Sequence, residues 1–253
     1  MDLQLSKKTA LVTGASKGIG FAIAKGLAAE GAKVILSARN ETRLNKAVEE
    51  IRLSGHEAFA VRADVSKLDD IDNLFKVTKQ RFSSPDIVVI NAGGPPKAEA
   101  QALDEPLCKQ AYELTLRSAI LLANKSLAAM KKNKWGRIIN ITSISVKEPV
   151  ANLALSNAFR AGVTGFAKTL ATEVAQYGIT VNNVGPGYTA TERLMELFPD
   201  QKALDNFAKT IPAKRLARPD EVAAAAIFLA SQQASYISGQ TILVDGGMAK
   251  GLM

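Results

Sequence analysis

The chain predicts an α/β fold, a Rossmann-type doubly wound parallel sheet of about seven strands in a single domain. Three observations carry that expectation. Short β-branched apolar runs alternate with helix-length segments along the whole sequence. Several of the runs are continuously apolar rather than alternating, which marks strands covered on both faces. A glycine-rich segment stands between the first run and the first helical stretch, where a doubly wound fold turns from strand to helix.

Strands are expected at Thr9–Thr13, Lys33–Ser37, Ala58–Ala63, Ile87–Ile90, Arg137–Ile141, Thr180–Val184 and Thr241–Val244. Helices are expected at Gly20–Glu30, Glu41–Leu53, Lys67–Phe82, Leu107–Lys131, Ala151–Gln176 and Asp220–Ala230. No composition shift splits the chain, so residues 1–253 read as one domain. The long irregular stretches, Ala92–Leu103, Ser143–Val150 and Pro186–Pro219, each follow the C-terminal end of an expected strand, where open α/β sheets bind ligands.

Composition narrows the class. With 47% hydrophobic and 22% charged residues, the chain can bury a core without metal or disulfide support. Its one cysteine, Cys108, excludes an internal disulfide and fits a reducing compartment. The N-terminus lacks a basic segment followed by an apolar core, and the longest clean apolar run, Val222–Ala230, is too short to span a bilayer as a helix. A cytoplasmic protein without membrane attachment is expected. The net charge of +8 raises the question of nucleic acid. Its Lys and Arg residues are scattered, aromatics are 6%, and no nucleic-acid-binding signature appears. A basic surface that accepts anionic ligands is the plainer reading.

The segment Thr13-Gly14-Ala15-Ser16-Lys17-Gly18-Ile19-Gly20 is the strongest local signal. Bare backbone there permits unusual dihedrals and lets N–H groups approach a phosphate. Gly14-Ala15-Ser16-Lys17-Gly18 also matches a nucleophile elbow. A hydrolase would need a histidine base, and the only histidine, His56, falls in the turn entering the third strand. A phosphate loop of the Gly-Lys-Ser/Thr type is excluded because Ile19 follows Gly18, and one Cys with one His makes no metal site.

Further motifs follow in order: Asp64-Val65, Asn91-Ala92-Gly93, Ile141-Thr142-Ser143, Asn182-Asn183-Val184-Gly185-Pro186-Gly187, and Ser238 to Gly247 ahead of the C-terminus. Together with the glycine segment they resemble the short-chain dehydrogenase/reductase family, nearest its 3-oxoacyl-acyl-carrier-protein reductase type. The resemblance spans essentially the whole chain. It implies hydride transfer between a nicotinamide cofactor and a carbonyl or alcohol. It also implies cofactor contacts at Gly14, Ser16, Lys17, Gly18, Ile19, Gly20, Asp64, Val65, Asn91, Ala92, Gly93, Pro186, Gly187, Thr189 and Thr191.

Cofactor choice is set after the second strand, where an acid would repel a 2′-phosphate. Here the chain reads Ala38-Arg39-Asn40. Arg39 and Lys17 can both face a 2′-phosphate, with Asn40 beside them, so NADP is expected.

The family's catalytic Asn-Ser-Tyr-Lys set falls by spacing on Thr115, Ser143, Ser156 and Arg160. Only Ser143 matches. An aliphatic hydroxyl is a far weaker acid than a phenol near 10, and Ser156 stops about 4 Å short of a tyrosine oxygen. Arg160 keeps the cation and is also a cofactor contact by position, but it does not surrender a proton near neutrality. Three outcomes stay open: a reductase with a changed proton donor, a weak or inactive NADP-binding regulator, or a reductase in which cofactor positioning supplies most of the rate. A water on Ser156 is one donor. Tyr188 and Lys147 are others, although both read more simply as a packing residue and a solvated cation.

Residues 189–219 are expected to form a lid over the substrate, with Leu194, Met195, Leu197 and Phe198 as an apolar wall. Lys202, Lys209, Lys214, Arg215 and Arg218 form a basic rim that could attract an acidic acyl carrier protein. A small-molecule or acyl-thioester substrate and a homotetramer complete the expectation.

Overall fold

A computed structural model of the chain describes residues 2–251. Seven parallel strands form one sheet in the order β3-β2-β1-β4-β5-β6-β7. They are β1 Thr9–Thr13, β2 Lys33–Ala38, β3 Ala58–Arg62, β4 Ile87–Ile90, β5 Gly136–Ile141, β6 Ile179–Pro186 and β7 Thr241–Val244. The helices are α1 Gly18–Ala29, α2 Glu41–Leu53, α3 Leu68–Arg81, α4 Glu105–Ala111, α5 Ser118–Asn133, α6 Ala154–Val174, α7 Glu192–Met195, α8 Gln201–Ala208 and α9 Pro219–Ala230.

The continuous apolar runs have a simple cause. In β1, Ala10 and Val12 enter a core with Ile23 and Leu27 of α1 and Leu229 of α9. Leu11 points to the other face and a second core with Leu74 of α3, Leu122 of α5 and Val163 of α6. Every residue of β1 is buried. Strand order reverses between β1, which pairs β2 on one side, and β4 on the other. That reversal opens a crevice at the strands' C-terminal ends.

Two expected helices are shorter or broken. The Leu107–Lys131 stretch is not one helix: α4 and α5 are separated by a wide π turn over Tyr112–Arg117. The Ser118 hydroxyl donates back to Leu114 O at 2.5 Å, a competing bond of the kind that loosens the helical ladder. Helix α6 begins at Ala154 rather than Ala151, after Asn152 in a left-handed conformation (φ 60°). Helix α1 starts two residues earlier than expected, at Gly18. No helix among the described residues is long and apolar enough to cross a membrane.

At the opposite end of the sheet from the crevice, Arg137 is 1% exposed. Its guanidinium donates to Ser231 O (3.1 Å), Gly136 O (2.8 Å) and Gly178 O (3.2 Å), and stacks on Trp135 at 4.3 Å. One cation thereby satisfies carbonyls at the ends of β5, α9 and the turn before β6. Replacing it orphans buried acceptors. Arg137→Leu is expected to destabilise the fold by about 2–4 kcal/mol. Thermal unfolding would then shift down by roughly 5–10 °C, and an unchanged midpoint would remove this role.

Candidate functional site

The crevice is a cleft of ≈ 740 Å³ that runs along the C-terminal ends of β1, β2, β3, β4, β5 and β6. Its floor at one end is the glycine segment. Gly14 and Gly18 both take φ 58°, a left-handed conformation that side chains disfavour. A Cβ on Gly14 would sit 2.3 Å from Asn91 O, and one on Gly20 would sit 2.3 Å from Gly14 O and 2.6 Å from Asn91 Nδ2. Asn91 donates from Nδ2 to Gly14 O at 3.2 Å, and its own N–H donates to Thr13 Oγ1 at 2.9 Å. The loop is therefore folded tightly on itself and pinned from β4. It leaves bare backbone toward the cleft, the kind of cradle a phosphate needs.

Every expected cofactor contact and catalytic-set position lines this cleft except Gly20 and Thr115; of the expected apolar wall, Leu194 and Leu197 line it and Met195 and Phe198 do not. Gly20 is buried beneath the loop, so its absent side chain serves packing against Gly14 and Asn91 rather than ligand contact. Thr115 is 4% exposed and lines a separate small cavity of ≈ 10 Å³ with Asn140, Thr142 and Arg160. Thr115 Oγ1 and Asn140 Oδ1 have no hydrogen-bond partner there.

At the β2 end, Arg39, Asn40 and Arg43 line the cleft. Asn40 caps α2 by accepting from Arg43 N at 2.9 Å, which places Arg43 in the first helical turn beside the cleft. Glu192 at the start of α7 forms ion pairs with Lys17 and with Arg43, the latter at 3.2 Å. The hydrogen bond from Lys17, and its charge, carry the Glu192 carboxyl below its usual range. Burial alone would raise Asp64, but hydrogen bonds from the Ser66 side chain and backbone lower it, helped by Arg39 and Lys67.

At the β5 end, Ser143, Ser156 and Arg160 converge on the cleft wall. Arg160 donates from Nη1 to Ile141 O (2.9 Å) and Thr142 O (2.8 Å), and from Nε to Ser156 Oγ (3.2 Å). Burial, then the charge of Arg193, push this guanidinium down to about 10. Ser143 Oγ accepts from Ser145 N at 3.1 Å. Each serine oxygen thus already accepts from an N–H, which leaves its O–H as a donor. Leu114, Leu153, Leu194 and Leu197 supply apolar wall.

Tyr188 is not on the cleft wall. Its ring packs on Phe207 with centroids 4.4 Å apart, and burial raises its pKa, so it is a packing residue as the plainer reading held. Lys147 is exposed and also off the cleft. Segment 189–219 is tied at its root by a bridge between Thr189 and Ala217 and carries α7 and α8. Its basic rim is smaller than its sequence suggests: Arg215 pairs with Glu221 at 2.7 Å and Arg218 with Asp220 at 3.1 Å. Sequence reasoning missed Arg43, Glu192 and Arg193 on the cleft wall. Arg43 had a signal, since it stands in the first turn of the helix that follows Arg39 and Asn40.

A family profile described as enoyl-(acyl carrier protein) reductase matches residues 14–249. The chain belongs to the short-chain dehydrogenase/reductase family. A 3-oxoacyl-[acyl-carrier-protein] reductase from Synechocystis is 41% identical over 246 residues, covering 96% of this chain and 98% of the relative. The solved L-sorbose reductase of Gluconobacter frateurii, complexed with NADPH and L-sorbose, superimposes with TM-score 0.95 at 34% identity over 100% of both chains. YwfH, an NADPH-dependent reductase involved in bacilysin biosynthesis, gives TM-score 0.93 at 32% identity over 98% of this chain and 100% of YwfH. Family membership makes the pinned glycine loop testable: Gly20→Ala must push apart Gly14 and Asn91. NADPH affinity, read by fluorescence titration, is expected to fall at least about tenfold, roughly 1.4 kcal/mol. Unchanged affinity would free the loop from its tether.

Proposed function

We propose that the protein is an NADPH-dependent oxidoreductase that reduces a carbonyl substrate, a ketone, aldehyde or 3-oxoacyl thioester, with an altered proton-transfer set. The relatives support this: they are 3-oxoacyl-[acyl-carrier-protein] reductases and NADPH-dependent reductases. The cofactor, when bound, supplies a hydride to the carbonyl carbon.

The residues of this chain would do the following. The Gly14–Gly18 backbone with Ser16 and Ile19 would hold the pyrophosphate, and Lys17, Arg39 and Arg43 the 2′-phosphate, with Asn40 alongside. Asp64 and Val65 would meet the adenine. Asn91, Ala92 and Gly93 would flank the ribose region, and Pro186, Gly187, Thr189 and Thr191 the nicotinamide. Ser143, with its O–H free to donate, would polarise the carbonyl oxygen.

The observation that carries the mechanism is the anchoring of Arg160. Two backbone carbonyls and Ser156 hold its guanidinium at the cleft wall. A pKa of about 10 keeps it charged at neutral pH. It would stabilise developing negative charge on oxygen without giving up a proton. The proton would come from a water on Ser156, whose O–H is left free by the bond from Arg160. Thr115, outside the cleft, would act only through its small cavity behind Arg160. Segment 189–219 would close over the substrate. Lys202, Lys209 and Lys214 are the rim cations that an acidic acyl carrier protein would meet.

Purified protein with NADPH and a panel of acetoacetyl thioesters, diketones and aldehydes tests this. Turnover well above a Gly18→Asp control is expected, with Ser156→Ala lowering kcat by about 10²-fold. Tight NADPH binding without turnover on any of them would reject catalysis. In a separate titration, Arg43→Ala is expected to weaken NADPH about tenfold while leaving NADH within about twofold. Equal loss for both cofactors would place Arg43 away from the 2′-phosphate.

A further inference from the structure

One acid reaches from the lid to the cofactor end of the cleft. Glu192 is the first residue of α7. Its Oε2 meets two cations at once, the Lys17 ammonium and Arg43 Nη1, the latter at 3.2 Å. These cations come from different turns. Lys17 stands just before α1 in the loop after β1, and Arg43 lies in the first turn of α2, after β2. The lid comes this close because the residue before α7 rests on the glycine loop: a Cβ on Gly18 would lie 3.3 Å from Thr191 Cγ2. Thr191 in turn caps α7 by accepting from Leu194 N at 3.3 Å. Asp64, the other acid on the cleft wall, is taken up by Ser66. Arg39 lines the same end of the cleft.

A carboxylate seated on two cations competes with any other anion for them. A phosphate monoester carries about −1.5 to −2 charge at neutral pH and three acceptor oxygens, against the single charge of Glu192. It can take both cations from the carboxylate, but it must displace that carboxylate or suffer its repulsion at close range. A dinucleotide with a plain 2′-hydroxyl brings no such charge and leaves both pairs as they are. Building on the reading above that Lys17 and Arg43 hold the 2′-phosphate, we infer that Glu192 is a specificity-determining residue, a built-in rival of that phosphate which narrows the preference for NADPH over NADH. All three side chains are partly exposed, so the effect is a few-fold one and weakens with salt. The same exposure leaves the Glu192 side chain free to swing into solvent when the phosphate takes its partners.

The test reads binding and needs no turnover. Fluorescence titration at low ionic strength compares NADPH with NADH on the wild-type protein and on Glu192→Gln, which removes the charge and keeps the size. The substitution is expected to tighten NADPH by about threefold or more while NADH stays within about twofold. Adenosine 2′,5′-bisphosphate, titrated by calorimetry, should show the same gain, because it carries the 2′-phosphate and no nicotinamide. The gain should fade as salt is raised. NADPH binding that is unchanged or weaker in Glu192→Gln overturns the inference, because the carboxylate then orders the cations rather than competing for them. An equal gain for both cofactors also overturns it, because Glu192 then only obstructs the cleft. So does a gain for NADPH that the bisphosphate does not share. Failure of the underlying reading looks different. A wild-type protein that binds NADPH and NADH alike, with Arg43→Ala changing neither, sinks the cation site and the inference with it. A wild-type NADPH preference that Glu192→Gln leaves untouched sinks the inference alone.

Discussion

The structure depends on the clamp between β1 and β4 at the point where strand order reverses. Thr13 and Asn91 exchange hydrogen bonds across the strand tips, with Asn91 N–H donating at 2.9 Å and Thr13 Oγ1 donating to Asn91 O at 3.2 Å. Asn91 then reaches to Gly14 O. A side chain on either Gly14 or Gly20 would intrude on this contact. The cleft, its loop and the start of α1 are thus one unit. Glycine there serves two demands, a left-handed backbone at Gly14 and close packing at Gly20, and only Gly14 lines the cleft.

The other end of the cleft is organised by a cation instead of a clamp. Arg160 holds the last carbonyls of β5, at Ile141 and Thr142, and orients Ser156. A lysine with one ammonium could not satisfy those acceptors with the same planar fork. The two departures from the family pattern, Arg160 and Ser156, touch each other through this bond. Arg160 Nε needs an oxygen at position 156 close to the helix, and a serine supplies it. The pair forms a donor-rich, permanently charged wall rather than a titrating phenol. On the reductase reading proposed above, the proton would come from solvent and the stabilisation from fixed charge.

Much of this was legible in the sequence, for identifiable reasons. Continuous apolar strands such as Ile87–Ile90 reveal a two-faced sheet because nothing else buries both faces. The glycine spacing and the motifs at Asp64, Asn91 and Pro186 locate the cleft because they sit at strand ends. What stayed hidden depends on side-chain contacts that residue spacing alone does not fix. The break in the Leu107–Lys131 stretch turns on Ser118 bonding back to its own helix. The neutralising of Arg215 and Arg218 involves Glu221 and Asp220, just beyond the lid's expected boundary. Arg193 reads as an ordinary surface cation until α7 carries it over Pro95.

The lid links the two ends of the cleft through charge. Glu192 and Arg193 are consecutive on α7 yet face different partners: Glu192 meets Lys17 and Arg43, and Arg193 meets Pro95 and Glu196. An anion that takes Lys17 or Arg43 must share them with Glu192. Arg193 is itself paired with Glu196. These pairs belong to the same short helix, whose root is fixed by the Thr189–Ala217 bridge. Through these pairs, a change at Lys17 or Arg43 bears on the same helix that holds Arg193 against Pro95.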